Sequence, residues 1–107
     1  MVLTRDFRET VQARVRRDAA FRKGLLRDAM EALLAGEVAL GKELLRDYIN
    51  ATVGFETLGR IMGRQPKSLM RMLGPSGNPT ARNIFEIFSH LQERARIRFQ
   101  LRAVKAS

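Results

Sequence analysis

The sequence contains no cysteine and no tryptophan, one histidine and three prolines. Without cysteine, disulfide bonds, thiol catalysis and thiolate metal sites are excluded. No apolar run approaches the roughly 20 residues that a membrane-spanning helix requires. The first residues also lack the apolar segment of a secretory signal, so we expect a cytoplasmic protein without membrane contact.

Groups suited to catalysis or metal binding are equally scarce. His90 is the only histidine, and its surroundings, Phe88-Ser89-His90-Leu91, favour a structural or surface role. The acidic residues are scattered over charged helical faces, where they are ordinarily solvated. No glycine-rich phosphate loop follows a predicted strand. We therefore expect neither an enzyme nor a bound metal or cofactor.

Acidic residues are also nearly absent from the second half of the chain. Residues 1–56 contain ten Lys/Arg and nine Asp/Glu, whereas residues 57–107 contain ten Lys/Arg and only two Asp/Glu. The formal net charge of +9 is therefore concentrated in the second half. A field of this sign attracts polyanions and accelerates encounter with them, which indicates nucleic acid as a partner.

Apolar residues recur at helical spacing along most of the chain, which predicts a mainly all-α fold. Thr4 and Asp18 are predicted caps of the first two helices, and the second helix ends near Gly36. A third helix runs over about residues 37–52, where Gly41 allows close packing. The second helix is predicted to have a broad apolar face made of Phe21, Leu25, Leu26, Ala29, Met30, Leu33 and Leu34.

The end of the chain follows a breaker-rich loop over residues 74–79. Thr80 is predicted to cap a last helix whose apolar side comprises Ile84, Phe85, Ile87, Phe88 and Leu91. Ile97, Phe99 and Leu101 then alternate with polar residues, which favours a short strand over residues 96–102. An extension of the last helix is the competing interpretation. A lone strand needs a partner, which another copy of the chain or a different protein could supply.

Residues 55–73 are the most informative stretch of the sequence. Their apolar residues predict two short helices that are broken at Gly63: Leu58, Ile61, Met62, Leu69, Met72 and Leu73. Gly59 lies where two helices would need to touch. Pro66 fits the first position of the second helix, where no amide donor is needed. This arrangement is typical of a DNA-binding helix-turn-helix.

The helix-turn-helix assigns a role to individual side chains. Its second helix enters the major groove, and the residues at the start of that helix meet base edges. We therefore predict base contacts for Gln65, Lys67, Ser68 and Arg71, whose donors and acceptors match base edges. We predict contacts to DNA phosphates for a second set, comprising Arg60, Arg64, Ser76, Asn78 and Arg82.

Four segments within residues 50–92 resemble the repressor-type helix-turn-helix of the XRE class, and more narrowly the antitoxins of the HigA type. They are Leu58-Gly59-Arg60-Ile61-Met62-Gly63, Lys67-Ser68-Leu69-Met70-Arg71-Met72-Leu73, Ser76-Gly77-Asn78-Pro79-Thr80 and Ile84-Phe85-Glu86-Ile87. The resemblance implies a lambda-repressor-like domain of five helices, a homodimer on a palindromic operator, and autoregulation of a toxin–antitoxin operon. The chain departs from the family at Arg64, where an apolar residue is usual, and at Gly59, where alanine is frequent.

These observations divide the chain into N-terminal helices over residues 1–53, a helix-turn-helix core over 54–92 and a basic tail over 93–107. Our first hypothesis is a sequence-specific DNA-binding transcriptional regulator, a repressor whose partners are double-stranded DNA, a second copy of the chain and, for an antitoxin, a cognate toxin. The N-terminal helices are then expected to pack on the core, to dimerise it or to bind a partner. The alternative is a helical protein-interaction module without specific DNA binding.

Overall fold

The computed structural model describes residues 13–106, and this part of the chain is mainly helical. Residues 13–17 are helical and precede five further helices: α1 (Ala19–Leu34), α2 (Val38–Ala51), α3 (Phe55–Met62), α4 (Pro66–Met72) and α5 (Ala81–Ala95). No strand occurs between residues 13 and 106. The prediction of a mainly all-α fold is therefore confirmed, while the predicted cap at Thr4 lies outside the described residues.

Local signals in the sequence account for the ends of the helices. The Asp18 carboxylate accepts a hydrogen bond from the Phe21 amide at 3.0 Å, and the Thr80 hydroxyl accepts one from the Asn83 amide at 3.1 Å. Both side chains satisfy a donor that the first turn of a helix leaves without a partner. Gly36 has a φ of +83°, which ends the first hairpin turn in a conformation that favours glycine.

Helices α1 and α2 form a hairpin whose close approach depends on Gly41. A Cβ atom at this position would lie 2.6 Å from the Leu33 side chain and 3.3 Å from the Ala29 carbonyl oxygen. The missing side chain therefore lets the two helices pack more closely than any larger residue would permit. This confirms the packing role predicted for Gly41.

A single hydrophobic cluster joins every helix of the described residues. Val15 belongs to it, together with side chains from each of the five helices, and the fully buried members include Leu26, Leu45, Ile49, Leu58, Leu69, Leu73, Ile87 and Phe88. The cluster crosses residue 53, so the helices on both sides of that predicted boundary share one core. The buried side chains of α3 and α4 thus belong to the same core as those of α1 and α2.

Three residues of the predicted apolar sets, Leu34, Ile61 and Phe85, are instead exposed, Ile61 at 46%. Leu34 and Phe85 are each 58% exposed. Leu34 is the last residue of α1 and lies beyond the stretch that packs on α2. Phe85 lies outside the stripe of Ile84, Ile87 and Leu91, which follows the helical repeat and covers the core.

The strand predicted over residues 96–102 is not formed, and neither is an extension of the last helix. Arg96 adopts the left-handed conformation, with a φ of 58°, and ends α5. The Phe99 amide then donates to Gln92 Oε1 at 2.8 Å, and Ile97 and Phe99 pack on the core. Leu101, the third apolar residue of the alternation, is 80% exposed, so the pattern marks core-facing side chains only as far as Phe99, where Gln92 rather than a partner strand accepts the amide hydrogen bond.

None of the helices within residues 13–106 combines the length and apolar character needed to cross a lipid bilayer.

The contrast between Leu26 and Leu34 on α1 provides a test of the core. Leu26 is fully buried, whereas Leu34 is mostly exposed. We expect Leu26→Ala to lower the free energy of unfolding by about 2–5 kcal/mol through lost burial and an internal cavity. Leu34→Ala should change it by less than about 0.5 kcal/mol. Urea unfolding followed by circular dichroism measures both; equal effects would contradict this packing of α1.

Candidate nucleic-acid interface

Helices α3 and α4 are joined by a tight turn that fixes their relative position. Gly63 follows α3 in the left-handed conformation, with a φ of 67°, and the Arg64 amide donates to the Gly59 carbonyl at 2.9 Å. A Cβ atom on Gly59 would lie 2.6 Å from the Arg64 carbonyl oxygen and 3.4 Å from the Pro66 ring. Gly59 therefore allows the turn itself to pack on α3, which explains why alanine does not fit at this position.

The second helix of the pair begins as the sequence predicted. Gln65 is in an extended conformation at the cap, and Pro66 occupies the start of α4. Leu69 and Leu73 are fully buried beneath the helix and anchor it to the core. The opposite face of α4 is consequently directed away from the protein.

The structure brings the four predicted base-contacting residues together on that outer face. Gln65, Lys67, Ser68 and Arg71 are all exposed. Lys67, Ser68 and Arg71 fall on one side of the helix because residues three and four apart are neighbours. None of the four side chains has a hydrogen bond or ion pair with another described residue, so their donors and acceptors are available to a ligand. Met70, which is 47% exposed, lies beside them.

The predicted phosphate-contacting arginines differ in how available they are. Arg60 is exposed, and its only bond within the described residues is a weak one to the Thr57 hydroxyl on the same helix, at 3.3 Å. Arg82 is also open to solvent, with a side chain that is 86% exposed, and its Nε lies 3.2 Å from Glu86 Oε1. An exposed ion pair of this kind is worth little and exchanges readily for another anion.

Arg64 has a different environment, because its guanidinium connects the turn to helix α5. Its Nη2 donates to Asn83 Oδ1 at 2.8 Å and lies 3.8 Å from Glu86 Oε2. This intramolecular role accounts for a polar residue at a position where the resembling family usually has an apolar one. Arg64 is therefore the least available of the three arginines.

The loop after α4 carries the remaining predicted phosphate contacts, Ser76 and Asn78, and both are exposed. Not every amide in this loop is free, because the Gly77 amide donates to the Gly74 carbonyl at 3.0 Å. Gly77 itself cannot be replaced without rearrangement, since a Cβ atom there would collide with the carbonyl oxygens of Arg71 and Met72. The loop is thus folded tightly against the end of α4.

Two basic residues of α2, neither of which was predicted to belong to the site, hold this loop. Lys42 is only 5% exposed, and its Nζ donates to the carbonyls of Gly74 at 2.9 Å and Gly77 at 2.7 Å. Arg46 donates from Nη1 to the Leu73 carbonyl. Cations at the C-terminal end of a helix satisfy its free carbonyls and oppose the negative end of its dipole.

A signal for Lys42 does exist in the sequence. Lys42 lies three residues before Leu45 and seven before Ile49, on the buried stripe of α2. A lone lysine on such a stripe must either extend its amine to solvent or find acceptors within the fold. Which acceptors it finds depends on the packing of α2 against a loop more than thirty residues later, as the sequence separation of 32 to Gly74 shows.

Comparison with known proteins identifies no relative of this chain. No protein-family model matches the chain, no curated protein is detectably similar to it in sequence, and no solved structure is detectably similar to it in fold. The positions and contacts of the described residues are therefore the observations on which a functional proposal depends.

Replacement of Lys42 tests the contact between α2 and the loop. We expect Lys42→Met, which keeps most of the aliphatic volume, to lower the free energy of unfolding by about 1–3 kcal/mol because two partly buried carbonyls lose their donor. Lys23→Met, at an exposed position on α1, is the matched control and should have little effect. Chemical denaturation compares the two variants; the same stability for both would show that the loop does not depend on Lys42.

Two helical glycines give opposite predictions for the same substitution. Gly24→Ala should raise the free energy of unfolding by up to about 1 kcal/mol, because alanine favours helix and the space around Gly24 is open, the nearest side-chain atom lying 3.7 Å from a built Cβ. Gly59→Ala should lower it by roughly 1–3 kcal/mol through overpacking against the turn. Thermal and urea unfolding of both variants provide the measurement, and a stabilising Gly59→Ala would contradict the tight turn.

Proposed function

We propose that the chain is a sequence-specific DNA-binding transcriptional regulator that places helix α4 in the major groove. One observation carries this proposal. Gln65 at the cap and Lys67, Ser68 and Arg71 on α4 are exposed and have no partner among the described residues, while Leu69 and Leu73 bury the other face of the helix in the core. A rigid helix that presents unsatisfied donors and acceptors at its start suits readout of base edges.

The charges around α4 support DNA as the partner. Arg60 on α3, Arg82 on α5 and the loop residues Ser76 and Asn78 are exposed, and Arg64 in the turn before α4 contributes a further positive charge. Contacts of this kind to phosphates set the position of a protein on the duplex, while base contacts select the sequence. The basic residues of the tail add to the field that attracts a polyanion.

The resemblance to HigA-type antitoxins extends this proposal to the biological role. In that role, two copies of the chain bind a palindromic operator and repress their own operon in the cytoplasm, and a cognate toxin binds outside the recognition face. A palindrome requires a two-fold dimer with its recognition helices one helical turn of DNA apart, about 34–36 Å. These expectations about the dimer and the toxin rest on the resemblance and on the exposed surface that remains outside α4.

A protein-interaction module is the second candidate, because the chain also exposes apolar side chains away from α4. Leu34, Val38 and Leu40, at the turn between α1 and α2, are 44–58% exposed. Adjacent apolar residues on a surface often mark a contact with another protein. A module of this kind would bind its partner through apolar burial and would show no preference among DNA sequences.

Fluorescence anisotropy of the full chain separates the two candidates. The protein is titrated into labelled DNA from its own upstream region and into scrambled DNA, at about 50 mM and 200 mM salt. A regulator should prefer the native sequence and lose on the order of 10³–10⁵ in affinity over this range if it contacts six to ten phosphates. Equal binding to both DNAs would show that the protein binds DNA without sequence preference. No binding to either DNA would favour the protein-interaction module.

Arg71→Ala tests the recognition helix directly. We expect the variant to lose about 1–3 kcal/mol of binding free energy for the native sequence and to discriminate less between native and scrambled DNA, because a base contact is removed. Arg17→Ala, which removes an exposed arginine outside the helix-turn-helix, is the matched control and should retain specificity. A uniform loss on both DNAs would assign Arg71 to a phosphate instead, and no loss would remove it from the interface.

A further inference from the structure

A cavity of about 410 Å³ lies on a part of the molecule that the proposed DNA contact does not use. The end of α2, the end of α5 and residues near the start of α1 form its walls, which include Arg16, Arg22, Tyr48, Val53, Leu91 and Arg94. Its volume falls within the range of sites that bind small molecules in proteins, roughly 300–1,000 Å³.

The charges of the cavity all have one sign. Arg16, Arg22 and Arg94 line it, and no carboxylate of residues 13–106 does. Arg22 is held in place because its Nη1 donates to the carbonyls of Val15 and Arg16, each at 3.0 Å. Arg16 and Arg94 form no ion pair with another described residue. Three guanidinium groups around one concavity without a balancing acid create a positive potential that the walls focus.

Tyr48 adds a polar group that the fold itself does not use. The residue is 3% exposed, and its hydroxyl forms no hydrogen bond within residues 13–106. Since no fully buried side-chain polar atom of these residues lacks a partner, the hydroxyl reaches open space, and Tyr48 lines both this cavity and a second one that shares Arg22 and Ala95 with it. Burial raises the pKa of the Tyr48 hydroxyl, although the nearby Arg22 opposes this shift. At neutral pH the hydroxyl therefore remains protonated and is able to donate.

The remaining walls of the cavity are apolar. The cavity also lies far along α5 from Asn83, the residue through which this helix contacts Arg64 of the turn. Val53 and Leu91 are buried members of the core that line the cavity. Arg94 lies near the end of α5, whereas the Arg64–Asn83 contact lies near its start. At a rise of about 1.5 Å per residue the two are separated by roughly 16 Å along the helix axis.

We propose that this cavity binds a small organic anion, whose phosphate or carboxylate group contacts Arg16, Arg22 and Arg94 and whose apolar part lies against Val53 and Leu91. The Tyr48 hydroxyl donates to the same anionic group. Guanidinium groups bind both oxyanions through paired hydrogen bonds, and the apolar walls select a ligand with a hydrophobic body over a bare inorganic ion. The proposal does not rest on base recognition by α4, because the cavity and that helix share no residue.

The first experiment titrates the full chain, without DNA, with phenyl phosphate and with benzoate, and follows the methyl resonances of Ala51, Val53, Leu91 and Ala95 by NMR. Both probes should shift these signals and saturate, whereas inorganic phosphate should bind more weakly and phenol should leave them unchanged. Equal affinity for inorganic and phenyl phosphate would overturn the role of the apolar walls. Absence of saturable shifts for either organic anion would overturn the site.

Two charge-removing variants test whether phenyl phosphate binds in the cavity. Arg94→Gln should weaken phenyl phosphate binding about tenfold, as expected for the loss of a hydrogen bond between charged groups. Arg102→Gln removes the same charge from the exposed tail, outside the cavity, and should weaken binding by less than about twofold because solvent and salt screen that distance. Equal effects of both variants would show that binding reflects net charge alone.

Tyr48→Phe provides a second test, since it removes only the hydroxyl. It should weaken phenyl phosphate binding by about threefold to tenfold, in line with the loss of one hydrogen bond, and a preserved thermal unfolding midpoint would show that the variant is folded. Unchanged affinity would remove Tyr48 from the site.

Titration of the full chain with duplex DNA completes the experiment. Shifts of the cavity methyl signals by DNA but not by phenyl phosphate would overturn the proposal, because the arginines would then contact the DNA backbone.

Discussion

The orientation of α4 depends on the hydrogen bonds that the buried amine of Lys42 donates to the loop after this helix. This amine joins α2 to the carbonyls of Gly74 and Gly77, and Arg46 adds the Leu73 carbonyl one turn further along the same helix. Helix α4 is too short to be stable by itself. Its N-terminal side is held by the turn around Gly59 and its C-terminal side by these two cations, so its outer face is presented in one orientation.

The basic residues of the chain therefore serve two separate purposes. Lys42, Arg46 and Arg64 are engaged with carbonyl or amide oxygens of the fold and determine how its helices meet. The side chains of Lys67 and Arg71 on α4, and of Arg16 and Arg94 in the cavity, form no ion pair or hydrogen bond with another described residue, so their donors stay available. Net charge and charge asymmetry do not distinguish these two sets. The distinction matters for function, because only a group without an internal partner offers its full hydrogen-bonding capacity to a ligand.

Several features were predictable because they depend on residues close together in sequence. The caps at Asp18 and Thr80, the break at Gly63 and the start of α4 at Pro66 are local, and each was found where it was predicted. The prediction of a strand over 96–102 was wrong because a strand depends on more than the local pattern. Alternation shows that Ile97 and Phe99 share a face, but a strand needs backbone partners, and here Gln92 supplies the partner for Phe99 instead.

Helix periodicity and capping act over three or four residues, so the helical class, the ends of the helices and the side chains on the outer face of α4 could be predicted from the amino-acid sequence. Packing between distant segments, in contrast, sets which basic side chains are buried, leaves Leu34 and Phe85 exposed, and brings Arg16, Arg22, Arg94 and Tyr48 around one cavity. These outcomes depend on contacts between segments that are far apart in the chain, and no local pattern encodes which carbonyl or cavity a long side chain will reach.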